Sequence, residues 1–366
     1  MAEPLLDVFV NANILICIAF LMWVGLRRIL SALGFSRAYG AQLRLLNAVF
    51  LAIVAAPLIA SGYDKLRQSR IVEGLNVNLS DQAVSYYLQG GFQMRAADFE
   101  ALILARDTLM LNVMSGQGWL AQALVLIVLV GLVIGTARLI YAVACLRSIL
   151  SGSYLWRRAG RVQIHLSDRV LVPFSTRGLY RYYVVLPSRM LGHPDELTVS
   201  VAHEFQHIRQ GDLNWEVLLE TLKPLFFFNP AFHAWKRAVD DLRELSCDAT
   251  VLSRGRIAAR TYCETLLSVC QTTLNRHRTF AAAQPKVTLV SAGAPSFLER
   301  RIRSLLQPRL AHERWVFSAA VVPLVAAVLL AGLAIQPPGD WSHDRLMLST
   351  VVNLERMDEI NGLYRP

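Results

Sequence analysis

Charged side chains are scarce in this chain. Only 17% of its 366 residues are charged, against 54% that are hydrophobic, a balance that argues against an ordinary soluble domain and for membrane spans. Cysteine is sparse too: Cys17, Cys145, Cys247, Cys263 and Cys270 show no pairing pattern. That excludes a disulfide-framed scaffold and suits thiols kept free in a reducing compartment. The N-terminus lacks a basic n-region and begins instead with Glu3 and Asp7, so no cleavable signal peptide is expected. The net charge of +10 comes with no helix-turn-helix or base-stacking signature, so no direct nucleic-acid binding is expected.

In place of charge the chain has long apolar runs. Four approach or exceed the ~20 residues that cross a bilayer: about Leu5 to Leu26, Leu45 to Ala60, Trp119 to Leu146 and Trp315 to Ile335. The second is the shortest and carries Asn47 and Pro57. The expected architecture is an α-helical membrane protein with four transmembrane helices and one cytoplasmic α+β domain. Residues 1–60 hold two transmembrane helices joined by a basic loop, 61–118 an external loop, and 119–146 the third helix. Residues 147–314 form the cytoplasmic domain, 315–335 the fourth helix, and 336–366 a short external tail.

Charge asymmetry sets this orientation. The first loop carries Arg27, Arg28, Arg37 and Arg44 and no acid, and Arg147 to Arg314 carries 24 basic against 14 acidic residues. The loop from Ser61 to Gly118 has five basic and six acidic residues, and the tail after Gln336 three and five. The positive-inside rule puts the first two regions in the cytoplasm and the last two outside, with both termini external. Within the external loop, Asp98 to Ala105 reads as an amphipathic helix, an ordered cap in the plainer reading and a ligand sensor in the sharper one.

The cytoplasmic segment opens with strand-like runs at Arg161–Leu166, Val170–Phe174 and Tyr180–Leu186, so two or three strands are expected. A helix follows from about Pro194-Asp195-Glu196 to Gly211. Leu213 to Trp235 reads as a broken helix, packed in the core or lying at the membrane interface, and not as a fifth span. Further helices are expected over Ala231–Leu252, Thr261–Leu274 and Phe297–Leu306.

The first of these helices carries His203-Glu204-Phe205-Gln206-His207, an H-E-x-x-H motif. Histidines four apart on a helix share a face and reach one metal ion, and the intervening glutamate is placed as a general base toward the attacking water. Roughly one chain of this length in a hundred carries the motif by accident, so it needs support. Glu244 and Asp248 supply it. They lie one helical turn apart, where two unpaired carboxylates would repel. In this reading His203, His207 and Glu244 bind Zn2+, Glu204 is catalytic, and Asp248 accepts the free N–H of a ligand histidine. Taken alone, Glu244 and Asp248 would be an ordinary solvated helix face. Cys247 is an alternative soft ligand, but packing is the expected role because its position turns it away. Asp212 is expected to cap or to form a salt bridge with Arg209 or a neighbour, and nothing in the spacing selects an oxyanion-stabilising group among His165, His193, His233 and His277.

The string His203 to Asp212, the Phe228-Asn229-Pro230 step, Glu244-Leu245-Ser246-Cys247-Asp248 with Val251-Leu252, and Val184-Val185-Leu186-Pro187 resemble the BlaR/MecR-type membrane metallopeptidases. The resemblance covers roughly Leu5 to Ile335. It implies a gluzincin-like zinc metallopeptidase domain in a multi-pass protein of the bacterial cytoplasmic membrane. It also implies activation from outside, self-cleavage and a protein substrate such as a winged-helix transcriptional repressor. One departure stands out: only about thirty residues follow Ile335, without a Ser-x-x-Lys, where the best-known members carry a penicillin-binding sensor domain. A β-lactam receptor role is therefore not expected. A catalytically idle scaffold with a peptidase-like zinc domain is the competing reading. A transporter is weaker, since the spans lack paired broken helices and buried charges.

Overall fold

The computed structural model describes residues 2–34, 37–68, 79–91, 94–102, 105, 119–279, 295–306, 313–335 and 343–363. Helices α1 (Ala2–Ala32), α2 (Tyr39–Gln68), α3 (Leu79–Leu88) and α4 (Trp119–Ser151) come first, followed by strands β1 (Tyr154–Ala159), β2 (Val162–Ser167), β3 (Phe174–Arg177) and β4 (Tyr182–Pro187). Then come α5 (Pro194–Gln210), α6 (Asp212–Leu222), α7 (Pro230–Ser253), α8 (Ala259–Thr279), α9 (Pro295–Leu306), α10 (Glu313–Ala334) and α11 (His343–Leu363). The chain divides into two compact units, Met1–Leu26 with Ala48–Val130 and Ala319–Pro366, and Arg27–Asn47 with Gly131–Ser318.

Val8–Ala32, Tyr39–Ile59 and Gln122–Ser151 are long and apolar enough to cross a membrane. They coincide with three of the expected spans, and the short second run turns out to belong to a helix that continues through Pro57. The fourth expected span falls on α10, whose described apolar stretch, Ala319–Ala334, is shorter. At 1.5 Å per residue it covers about 24 Å.

In the first unit the segment expected as an external loop packs against a partner that patterning did not reveal. Val84 of α3, Phe99 and Leu348 of α11 form a buried cluster. Tyr87 stacks on Phe99 with ring centroids 4.3 Å apart, and the Ala96 N–H donates to Glu355 Oε2 at 3.0 Å. Residues 96–102 are helical, as is residue 105, while Ile103 and Leu104 of the expected helix lie outside the described residues.

The second unit is built on a four-stranded sheet in the order β1-β2-β4-β3. β2 and β4 pair in parallel, while β1 and β3 run antiparallel to their neighbours. Two strand expectations need correction. β1 was not anticipated, because it carries Arg157 and Arg158 and every residue is exposed, leaving no alternation to read. The run Val170–Phe174 is not a strand: β3 starts at Phe174, just after Pro173, which has no N–H to give a ladder.

Parallel register sets Ile164 beside Val184 and Leu166 beside Leu186. Leu197, Val201, Phe205 and Ile208 of α5 pack onto these four. The spacing of 4, 4 and 3 is one helical face, and each such side chain contributes roughly 1.5–3 kcal/mol when fully buried. α5 is therefore clamped to the sheet by one side, and its other side, with Ser200, His203, Glu204 and His207, is left for chemistry.

Helix ends follow local signals. Pro194 occupies the first turn of α5 with Asp195 and Glu196, acids that complement the helix dipole. Gly211 ends it in the left-handed conformation, φ 76°, its N–H returning to the carbonyls of His207 and Ile208. The expected broken helix is α6 and the start of α7, where Asn229 accepts from the N–H groups of Ala231 and Phe232 and Pro230 sits in the first turn. Gly211→Ala should lower the thermal midpoint by about 2–8 °C, since a left-handed alanine costs roughly 1–2 kcal/mol. A Cβ there meets only ordinary contact, Asn214 Nδ2 at 3.9 Å. Thermal unfolding of the detergent-solubilised chain measures this, and an unchanged midpoint would contradict it.

Candidate metal centre

α5 sets His203 and His207 one turn apart with their Nε2 atoms 3.1 Å from each other and their rings at 87°. α7 crosses so that Glu244 meets both: Oε2 lies 3.4 Å from His203 Nε2, and Oε1 lies 3.5 Å from His207 Nε2. Ligand atoms on one tetrahedral zinc with bonds of about 2.0–2.1 Å stand roughly 3.3 Å apart. The spacing and the donor types therefore fit that ion.

The opposite ring nitrogens decide the tautomers. His207 Nδ1 is 2.8 Å from Asp212 Oδ2, a carboxylate that only accepts, so this nitrogen carries the proton. His203 Nδ1 is 2.8 Å from the Tyr262 hydroxyl, which itself donates to Asp248 Oδ1 at 2.6 Å. The hydroxyl proton is thus committed, and Tyr262 accepts from His203. Both Nε2 atoms are left as bare lone pairs facing one point, and only a cation there relieves their repulsion.

The electrostatics express the same demand. Burial opposes charge on His203, but Cys247, Tyr262 and Asp248 outweigh it and hold its pKa well above the ordinary histidine value. Burial likewise opposes charge on His207, and Cys247, Asp212 and Glu244 raise its pKa well above that value. Burial works against ionisation of Glu244, yet Arg301 and the two histidines hold its carboxyl well below the carboxylate range. Asp248, fully buried, is held low against its own burial by Arg301 and His203.

The predicted residues come together, with refinements. Glu204 is buried and lines a cavity of about 170 Å³ that also contains His203, His207 and Glu244. Asp248 lies 3.3 Å from His203 Nδ1 but works chiefly through Tyr262. Cys247 is not turned away. Its Sγ lies 3.5 Å from His203 Nδ1 and 3.4 Å from the His203 carbonyl, because residues 244, 247 and 248 share one face of α7. His203, His207 and Cys247 thus form a further donor group, with ligand atoms within 4.8 Å of one another. Cys247 Sγ approaches the Nδ1 edge of His203 and interacts with His207 as well. Asp212 pairs with a neighbour other than Arg209: it turns back onto His207, because the left-handed Gly211 restarts the helix at once.

Tyr262 and Arg301 were missed by sequence reading. Arg301 forks onto Asp248, Nε to Oδ2 and Nη2 to Oδ1, both at 2.7 Å. His165, His193 and His233 do not line the cavity, and the side chain of His277 lies outside the described residues. The cavity's basic groups are Lys236, Arg243 and Arg301.

A pH dependence follows with a definite sign. In metal-free protein the raised histidine pKa values add stability that is complete below about pH 6.5 and is lost as pH rises through the folded values. The thermal midpoint of chelator-treated protein should fall as pH rises above about 6.5, and the gain on adding zinc should grow over the same rise. Scanning calorimetry at several pH values tests this. A chelated midpoint that rose with pH would contradict it.

Comparison with known proteins points to a metallopeptidase. A family model described as BlaR1 peptidase M56 matches residues 5–305. The chain is also 31% identical over 110 residues to the Methicillin resistance mecR1 proteins of Staphylococcus aureus and Staphylococcus epidermidis, a stretch covering 29% of this chain and 19% of each relative. It thus spans about a fifth of the length of the curated relatives it matches. With its apolar helices and most of its length matched by that model, the chain belongs to the BlaR1 peptidase M56 family of membrane-associated metallopeptidases.

Proposed function

We propose that this chain is a membrane-embedded, zinc-dependent endopeptidase of the H-E-x-x-H…E-x-x-x-D type that cleaves a cytoplasmic regulator, such as a winged-helix repressor, and itself. The observation that carries this reading is the convergence of His203 Nε2, His207 Nε2 and the Glu244 carboxylate within 3.1–3.5 Å, beside buried Glu204. In this proposal residues 147–314 are a gluzincin-like cytoplasmic domain. Four spans, the fourth at 315–335, leave the loop 61–118 and the tail 336–366 outside. The basic excess of the cytoplasmic regions supports that orientation. Packing of the external-loop residues Val84 and Phe99 on Leu348 of the tail fits their sharing one side.

His203, His207 and Glu244 would hold the ion, with Asp212 and the Tyr262–Asp248 pair fixing the imidazoles. Bound zinc would supply Lewis acidity toward the scissile carbonyl and acidify the attacking water. Glu204 takes the proton of that water and passes it to the departing amine. β3 is the terminal strand of the sheet, and its Phe174 and Ser175 line the cavity. An extended peptide pairing along β3 would lay its backbone beside Glu204. Signal receipt by the external loop and tail cluster would regulate cleavage.

Glu204→Ala should cut turnover by about 10²–10⁴-fold, the usual contribution of a general base, and leave zinc content unchanged. Proteomics of cytoplasmic fragments in cells expressing wild type or Glu204→Ala reads this out. Equal cleavage by the two would overturn the mechanism. A zinc-loaded wild type that generates no fragments absent from the variant would favour the idle-scaffold reading.

A further inference from the structure

α9 is docked on α7 through charge. Arg300 pairs with Asp241. Arg301 grips Asp248 with two hydrogen bonds of 2.7 Å and reaches Glu244 Oε2 with Nη1 at 3.2 Å. Asp241, Glu244 and Asp248 are spaced i, i+3, i+7, so a single stripe of α7 receives the helix. Leu305, one turn beyond Arg301, packs against Val199, Cys247, Val251 and Tyr262. The fork is nearly dry: the Arg301 side chain is 15% exposed and that of Asp248 fully buried.

We propose that Arg301 is a positioning residue for the metal centre, holding the Glu244 carboxylate toward the two imidazoles and making metal affinity depend on the docking of α9. The proposal rests on the reading of His203, His207 and Glu244 as the ligand set. Glu244 and Asp248 stand one turn apart, so at low dielectric their charges repel strongly. Arg301 contacts both. Remove it, and the least costly relief is for Glu244 to rotate toward the open side of the cavity, away from His203 and His207. Asp248 would lose its counter-charge as well, loosening the Tyr262 hydroxyl that fixes the His203 tautomer. The chain continues from α9 through residues 307–312 into α10 and its apolar stretch Ala319–Ala334. Anything that draws α9 off α7 along that path takes the guanidinium from the ligand. Linkage requires the reverse as well: metal binding must hold α9 down.

The test uses the full chain in detergent, with zinc affinity measured by competition against a chromogenic chelator. Arg301→Gln should weaken zinc binding by about 10–100-fold, the usual cost of losing a group that orients a metal ligand. Arg301→Lys keeps the charge without the fork and should fall between. Arg303→Gln, an exposed position on the same helix paired with Glu299, should bind as wild type. Hydrogen exchange of residues 295–306 should slow when zinc is added to wild type and not when it is added to Arg301→Gln. Affinities within twofold of wild type for both Arg301 variants, or no zinc-linked protection of α9, would sink the proposal. Glu244→Gln separates the two layers. If it binds zinc as wild type does, the ligand assignment itself fails; if it loses zinc while Arg301→Gln keeps it, only the role of Arg301 is lost.

Discussion

Two imidazoles with no proton at Nε2 set the terms for everything around them. Asp212 accepts a hydrogen bond from His207 Nδ1–H, Tyr262 accepts one from His203 Nδ1–H, and the lone pairs left over face each other across 3.1 Å. Such a pair is unstable without positive charge between its members. A divalent cation supplies it best; without one, Cys247, Tyr262, Asp248, Asp212 and Glu244 favour protons on the histidines. The buried carboxylates follow from the same need. Each one fixes a ring or approaches the shared point, and Arg301 balances part of their charge.

Such a site demands a rigid platform, and α5 provides one by dividing its faces. Leu197, Val201, Phe205 and Ile208 are spent on the sheet, which fixes the rotation of the helix about its axis. Rotation is what matters, because one residue of slip turns an α-helix by about 100° and would carry His203 out of the cavity. Gly211 adds a second constraint. Its left-handed turn starts α6 immediately, so Asp212 comes back beneath His207 instead of running on with the helix.

Sequence and structure agree where the information is periodic. His203 and His207 at four-residue spacing announce their shared face, and the Glu244–Asp248 pair announces a second face, since both rules belong to a single helix. Apolar runs mark the long helices in the same way, including α2 despite Pro57. The remaining members of the site depend on how helices cross. Tyr262 lies 59 residues from His203, and Arg301 lies 53 from Asp248; no spacing rule joins them, because packing of α8 on α5 and of α9 on α7 brings them there. Asp212 escaped for another reason. It sits after a glycine, where a cap or surface ion pair is the ordinary outcome, and only the left-handed φ of Gly211 reverses that. β1 escaped because an exposed strand has no buried face to pattern it.

Cys247 shows how finely the donor set is chosen. A buried thiol and a half-buried carboxylate both lie within reach of His203, the thiol at Nδ1 and the carboxylate at Nε2. Which one shares a metal with His207 depends on which ring nitrogen is bare. With Nδ1–H given to Tyr262, the bare atom is Nε2, and it faces Glu244. Were the proton on Nε2, the bare Nδ1 would face Cys247 instead. In the proposed site Tyr262 and Asp248 would therefore do more than orient a ligand: they would favour carboxylate over thiolate. The selection has a cost, because buried ion pairs such as Asp248 with Arg301 are weaker stabilisers than apolar packing of the same volume. In that proposal the gain is a two-histidine, one-carboxylate set of the kind that leaves a fourth position open for water beside Glu204.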